Sequence, residues 1–433
     1  MKNSIVIPLI LAVSFTYAQK TDKYIKEKDV TRIIQRLAAD DMNGRSATDE
    51  KSIFKAAAFI EKEFKSIGLK PLPGTTGFLQ EFTKEKMTTA GEVVIDQERI
   101  ADDHVIVTTE KIQVKITDGL SIKNISVDNS VQNREQFFME KAFAIARDTV
   151  SCLVLVAPEF EKSFKEFKGY FKQRFSSGRK GLKAFVLGKT TATSYSVEAK
   201  QKVEKVRMAN VVGMIEGKTK KDEMVVFGGH YDHLGIRPKV DNDSIANGAD
   251  DDASGTTAVI ALARYFKKAK MHNRTLVFVA FTAEEIGGFG SRYFSQQLNA
   301  DNVVAMFNIE MIGKASKWGQ NSAFITGFER SNFGEILQKN LAGTPFQFKP
   351  DPYPDQNLFY RSDNATLARL GVPAHTISTD QIDIDKLYHT VNDEVESLDM
   401  KNITSTIKAI ALSSKTIVEG SDTPKRIDKS TVR

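Results

Sequence analysis

Apolar residues recur along this chain at two spacings, and the rhythm changes twice. In residues 29–39, Val30, Ile33, Ile34 and Leu37 fall on one helical face. In residues 49–67, Ile53, Phe54, Ala57, Phe59, Ile60, Phe64 and Ile67 repeat that spacing more strongly, and Gly68 with Pro71 and Pro73 beyond it marks the stop. The polar stretch 41–46 between the two reads as a loop. From residue 83 to 206 the pattern becomes one of short strands: 93–95, 104–107, an alternation of Ile112, Val114 and Ile116 with Gln113 and Lys115, then 152–156 and 184–187. This predicts a separate, strand-containing inserted domain, 83–206. Within it Phe164, Phe167, Phe171 and Phe175 lie at helical spacing among lysines. That pattern predicts an amphipathic helix packed on its own domain in preference to one lying on a membrane.

Beyond residue 206 buried strands alternate with amphipathic helices. Strands are predicted at 209–215, 224–227, 274–281, 303–307, 322–325 and 373–377. Helices are predicted at 256–268, 291–298, 333–340, 365–370 and, closing the fold, 400–418. Continuous apolar strands interleaved with helices imply an α/β fold, with a largely parallel or mixed sheet covered on both faces. Residues 19–82 and 207–419 are read as its two parts, and the polar stretch 420–433 as a flexible tail.

Composition narrows the reading at the ends more than in the middle. The 433 residues carry a formal charge of +6, spread along the chain without an arginine-rich arm, so nucleic acid is not an expected partner. Residues 1–18 differ: Lys2 precedes an apolar core, 5–15, and Thr16, Tyr17 and Ala18 end it on a small residue. This is a cleavable signal-peptide pattern, too short to span a bilayer comfortably, and it predicts an exported protein, periplasmic or extracellular after cleavage near Ala18. No later stretch predicts stable membrane insertion. Cys152 is the only cysteine, so no intramolecular disulfide forms, and its apolar neighbours predict a buried thiol.

The candidate chemistry gathers where strands end. His230 and Asp232 follow the apolar run 224–227 at a spacing that, in an extended chain, puts both side chains on one side. About twenty residues on, Asp250, Asp251 and Asp252 stand between glycines, ahead of a helix. Glu284 and Glu285 follow the strand 274–281, Glu310 follows 303–307, and Asp363 and His389 sit in later loops. Sites in such sheets form at the carboxyl ends of strands. Two histidines among several carboxylates, with no thiolate, suit catalytic zinc, manganese or cobalt. One aspartate of the triplet is free to bridge two ions, and one glutamate of the pair to act as a base beside its ligating neighbour. Of the other histidines, His104, His272 and His375 read as structural or solvated. His233 lies at an odd spacing from His230 that points it elsewhere and keeps it, at most, behind the ligands.

Taken together, His230-Tyr-Asp232, the 248–255 turn, Thr282-Ala-Glu-Glu285, the 308–313 run, Tyr360-Arg-Ser-Asp363 and Tyr388-His-Thr390 occur in an order that resembles the co-catalytic di-zinc exopeptidases, metallopeptidase family 28, which includes secreted bacterial leucine-type aminopeptidases. The resemblance covers 29–82 and 205–418. It implies a mixed, mostly parallel eight-stranded sheet flanked by helices. It also implies two zinc ions, one held by His230, Asp251 and Glu310 and the other by Asp251, Glu285 and His389. Glu284 would be the general base, Asp232 would orient His230, and Tyr360 is a candidate for contact with the developing oxyanion. Peptides would be the substrates, cleaved as an aminopeptidase; a carboxypeptidase or dipeptidase, a glutaminyl cyclase and a metal-free binding module are the alternatives. Three positions depart from the family pattern: Glu310 stands where many relatives have aspartate, Asn364 where they commonly have histidine, and the 83–206 insertion lacks the signature of the protease-associated domain found there in some relatives.

Overall fold

The helix Glu50–Ile67 shows how the pattern becomes structure. Asp49 accepts a hydrogen bond from the Lys51 backbone N–H at its start, and Gly68 ends it at φ 80°, a left-handed conformation that suits glycine. The face between buries Ile53, Ala56, Ala57, Ile60 and Phe64. The computed structural model describes residues 20–127, 131, 133–171, 174–176, 178 and 181–433; the segment expected to be a signal peptide lies outside them.

The chain divides into two compact units, Met1–Phe82 with Met208–Arg433, and Thr83–Arg207. The larger unit is built on a mixed sheet. Its strands run in the order Gln347–Pro350, Ser322–Ile325, Ala374–Ser378, Val303–Ile309, Lys220–His230 and Arg274–Phe281, followed by residues 208–215 of the strand Tyr195–Ile215 and residues 79–82 of the strand Leu79–Ile95. Lys220–His230 is parallel to both Arg274–Phe281 and Val303–Ile309, and Val303–Ile309 is parallel to Ala374–Ser378. Arg274–Phe281 pairs antiparallel with Tyr195–Ile215, and Ser322–Ile325 antiparallel with Ala374–Ser378. The central strands are buried along their length, which is why they read as unbroken apolar runs. One core joins helices Glu27–Leu37, Glu50–Ile67, Gly255–Ala269 and Met400–Ser413 to one sheet face, and a second covers the other face with Phe281, Phe294, Met306 and Leu367. This is the mixed α/β architecture expected.

Two expectations at the end of this unit are corrected. The closing helix runs Met400–Ser413, and a separate short helix follows at Lys415–Glu419. The stretch read as a flexible tail is fixed in place: Ile427 is buried, Arg426 donates to the carbonyls of Ala300 and Val303, and the buried Arg274 donates to Asp422 and Thr423. Its polar side chains bond rather than float.

The smaller unit holds a four-stranded sheet, Val105–Thr108, Lys183–Leu187, Cys152–Val156 and Ser121–Ile125 in that order, with helices Arg134–Arg147 and Glu161–Gly169. Cys152 is buried and burial raises its thiol pKa. Phe164 and Phe167 are fully buried in this unit's own core, as the amphipathic-helix reading expects; the helix ends before Phe171 and Phe175. Among the described residues no helix is long and apolar enough to cross a membrane.

Candidate metal centre

The parallel strands of the larger unit deliver their chemistry at one end. His230 is the last residue of Lys220–His230, Glu284 and Glu285 follow Arg274–Phe281, and Glu310 follows Val303–Ile309. Gly229 allows the aspartate turn to approach, since a Cβ there would crowd the Asp252 carboxylate and the Ile309 carbonyl.

The three aspartates divide their work. Asp252 is a staple: its carboxylate accepts from the backbone N–H groups of His230 at 3.1 Å, Gly255 at 3.0 Å and Met311 at 3.1 Å. Asp250 accepts from Gly313 N–H at 2.7 Å and pairs with Lys314 at 3.3 Å. Asp251 alone faces the centre. One of its oxygens lies 3.2 Å from His230 Nε2, and the other 3.3 Å from His389 Nε2. Glu310 lies 3.9 Å from His230 Nε2, and Glu285 lies 3.1 Å from His389 Nε2. The ligand atoms of His230, Asp251 and Glu310 all lie within 4.8 Å of one another, and so do those of His233, Asp251 and Glu285. Asp251 belongs to both groups.

His233 corrects the expectation that it points away. Strand alternation stops at His230; the chain then turns, with His233 N–H donating to the Arg45 carbonyl. The ring arrives fully buried, its Nδ1 2.7 Å from Glu285 and 3.7 Å from Asp251. The support of His230 also differs in detail. Its Nδ1 lies 3.1 Å from the Asp232 backbone carbonyl and 3.8 Å from the carboxylate, which instead accepts from Glu284 N–H at 3.1 Å. Asp232 thus reaches both the histidine and the candidate base. Tyr360 is not brought to the centre. Its hydroxyl donates to the Thr431 carbonyl and its ring lies under Arg330 and Arg433. The tyrosine at the centre is Tyr388, whose ring stacks on His389 at 3.8 Å and lines a pocket together with Glu310.

Two positioning residues gave no signal in the sequence beyond their charge. Arg45, completely buried, donates to the carbonyls of Tyr231, Leu37, Asn247 and Gly248 at 2.5–2.9 Å, tying the histidine loop to the aspartate turn. Asp393 accepts from the N–H groups of Asp250 and Asp251 at 2.9 and 3.0 Å.

Electrostatically the centre is an acid cluster. Burial, then Glu310, Asp363 and Glu285, hold the Glu284 carboxyl well above its ordinary value despite His230. Burial pushes Glu310 up to about 7, with Asp251 adding to it, and Asp232 up to about 7 against the pull of His230. His233 Nε2 and Glu310 Oε2 are buried with no hydrogen-bond partner, while His230 Nε2 and His233 Nδ1 meet only carboxylates of the cluster, 3.2 Å from Asp251 and 2.7 Å from Glu285. Orphaned imidazole and carboxylate lone pairs on either side of one shared aspartate fit a pair of divalent cations. Asp363 is buried nearby with both oxygens unpartnered, outside either donor group.

Residues 210–413 match the family model for Peptidase family M28. A probable zinc metalloprotease of Pyrenophora tritici-repentis is 38% identical over 112 residues, 25% of each chain. Leucine aminopeptidase 1 of Ajellomyces capsulatus is 30% identical over 235 residues, 50% of this chain and 58% of that protein. The chain thus spans about a quarter of the zinc metalloproteases it matches. Among solved structures, BSAP, a zinc aminopeptidase from Bacillus subtilis, superposes with a TM-score of 0.55 at 16% identity over 94% of this chain and 99% of that one. An aminopeptidase from Aneurinibacillus sp. strain AM-1 does so at 0.54 and 16%, over 96% and 98%. At that identity these two superpositions establish the fold.

Proposed function

Because the chain belongs to peptidase family M28 through residues 210–413, we propose that it is an exported zinc aminopeptidase that removes N-terminal residues from peptides. The observation that carries this reading is Asp251, shared between two donor groups beside a half-buried glutamate. His230, Asp251 and Glu310 would hold one zinc ion. Asp251, Glu285 and His389 would hold the other, with His233 against Glu285; manganese or cobalt would suit the same donors. When bound, such ions acidify water and polarise a carbonyl.

The chain's own groups supply the rest. Glu284, held at its backbone by Asp232, takes a proton from the attacking water and returns it to the leaving amine. Burial and the neighbouring acids raise its pKa above that of an ordinary carboxyl, which makes it a stronger proton acceptor. Tyr388, beside His389 and Glu310, stabilises the developing oxyanion in place of the remote Tyr360. Export rests on the positive, apolar, small-residue order of residues 1–18.

Hydrolysis of a panel of aminoacyl-p-nitroanilides by the zinc-loaded chain tests the reading, with N-acetylated counterparts, a chelated sample and Glu284→Gln alongside. Cleavage is expected only with a free amine and is lost on chelation. Glu284→Gln should lower kcat by about 10²- to 10⁴-fold with zinc content unchanged. A chain that binds two zinc ions yet cleaves only C-terminal substrates or dipeptides would overturn the aminopeptidase assignment.

A further inference from the structure

A second group of acids stands apart from the two donor groups. Asp250, Asp380 and Asp385 each place a carboxylate oxygen within 4.8 Å of the others. No nitrogen or sulfur takes part, so the donor set is all oxygen, which suits a hard cation and not zinc.

Asp380 is what sets this group apart from acids that merely lie close together. Its side chain is 4% exposed and neither carboxylate oxygen finds an N–H or hydroxyl donor. The group facing it is another carboxyl, that of Asp385. Lys314 supplies one ammonium, 2.5 Å from Asp385 and 3.3 Å from Asp250. One ammonium faces three carboxyls, so the cluster stays near balance only while a proton sits on Asp380, which burial and Asp250 raise to about 8, or when another cation takes that proton's place.

The cluster also sits at a junction. Asp250 immediately precedes Asp251, Lys314 lies four residues after Glu310, and Asp385 lies four residues before His389. The geometry points to a third cation site, formed by Asp250, Asp380 and Asp385, that takes a hard divalent ion of the calcium class and ties together the two segments that carry Asp251 and His389. Calcium suits it better than magnesium because flexible carboxylates ligate calcium in mono- or bidentate fashion, whereas magnesium demands near-octahedral geometry and keeps its waters.

Equilibrium dialysis of the zinc-loaded full chain against calcium chloride tests this. One calcium per chain beyond the zinc is expected, with a Kd on the order of 10⁻⁴ M, alongside a higher thermal midpoint in calcium than in sodium chloride of equal ionic strength. Asp380→Asn keeps the side chain's shape and should weaken calcium binding about tenfold or more without changing zinc content. Asp385→Asn should do the same, and serves if the first variant does not fold. Absence of calcium uptake by the wild-type chain would overturn the proposal, since Lys314 and a proton shared between Asp380 and Asp385 would then complete the cluster. Uptake that neither substitution weakens would overturn it equally.

Discussion

At the scale of single residues, three consecutive aspartates do three jobs because their backbone turns between them. Asp252 spends both oxygens on backbone donors, Asp250 faces Gly313 and Lys314, and Asp251 is left to face the histidines. Gly248, at φ 57°, makes room: a Cβ there would meet the Asp251 carbonyl and the His233 ring. The same crowding explains why His233 matters. Its ring is buried against Glu285 and supports or shares that carboxylate's position. Supporting partners of metal ligands typically contribute 10- to 100-fold in affinity. His233→Gln should therefore weaken one of two zinc-binding steps by about that factor and leave the other unchanged. Zinc titration with a competing chelator measures both steps; two unaltered steps would reduce His233 to packing.

At the scale of elements, the centre depends on loops held by groups remote in sequence. Arg45, in a short turn between two helices, is the main instance. Removing it strands carbonyls of Leu37, Tyr231, Asn247 and Gly248 in the interior and deletes a positive charge near Asp393, Asp232 and Asp251. Arg45→Met should cost at least about 3 kcal/mol of stability, and Arg45→Lys less. Urea unfolding of the zinc-loaded proteins compares them, and midpoints equal to wild type would dismiss the clamp. This dependence also explains what the sequence makes legible. Periodicity finds Glu50–Ile67, Gly255–Ala269 and the buried strands because burial on one face or on both imposes a period. Strand ends point to the aspartate triplet, the glutamate pair, Glu310 and His389, and the family resemblance is what singles out Asp251 and Glu285 among them. What escapes is set by turns. His233 belongs to a turn whose direction strand alternation does not fix. Tyr360 and Tyr388 are told apart only by which loop folds back over the strand ends. The segment 420–433 reads as free because its anchors, Arg274 and Ala300, lie more than a hundred residues away.

At the scale of the whole molecule, the larger unit carries an unusual load of buried acids, and that load predicts how stability responds to pH. Burial raises Asp232, Glu310 and Glu394 to about 7, Asp363 to about 6, and Asp380 and Asp393 to about 8. Unfolded, these groups titrate near ~4. Between those values the folded chain holds protons that the unfolded chain has released, so folding stability must fall as pH rises through that window. His389, raised to about 9 by Asp251 and Glu285 against its burial, acts in the same direction. His375, which burial lowers to about 4, opposes it only below its unfolded value near ~6.5. The metal-free protein should thus unfold at lower urea near pH 8 than near pH 6. Zinc requires its carboxylates and imidazoles deprotonated, so loading should remove or reverse the difference. Paired urea titrations of chelated and zinc-loaded protein at the two pH values read this directly. A chelated protein equally stable at both would mean that these carboxyls are not held protonated by the fold. A zinc-loaded protein with the same slope as the chelated one would mean that the acids governing stability lie away from the metal centre, with Asp380 and Asp393 first among them.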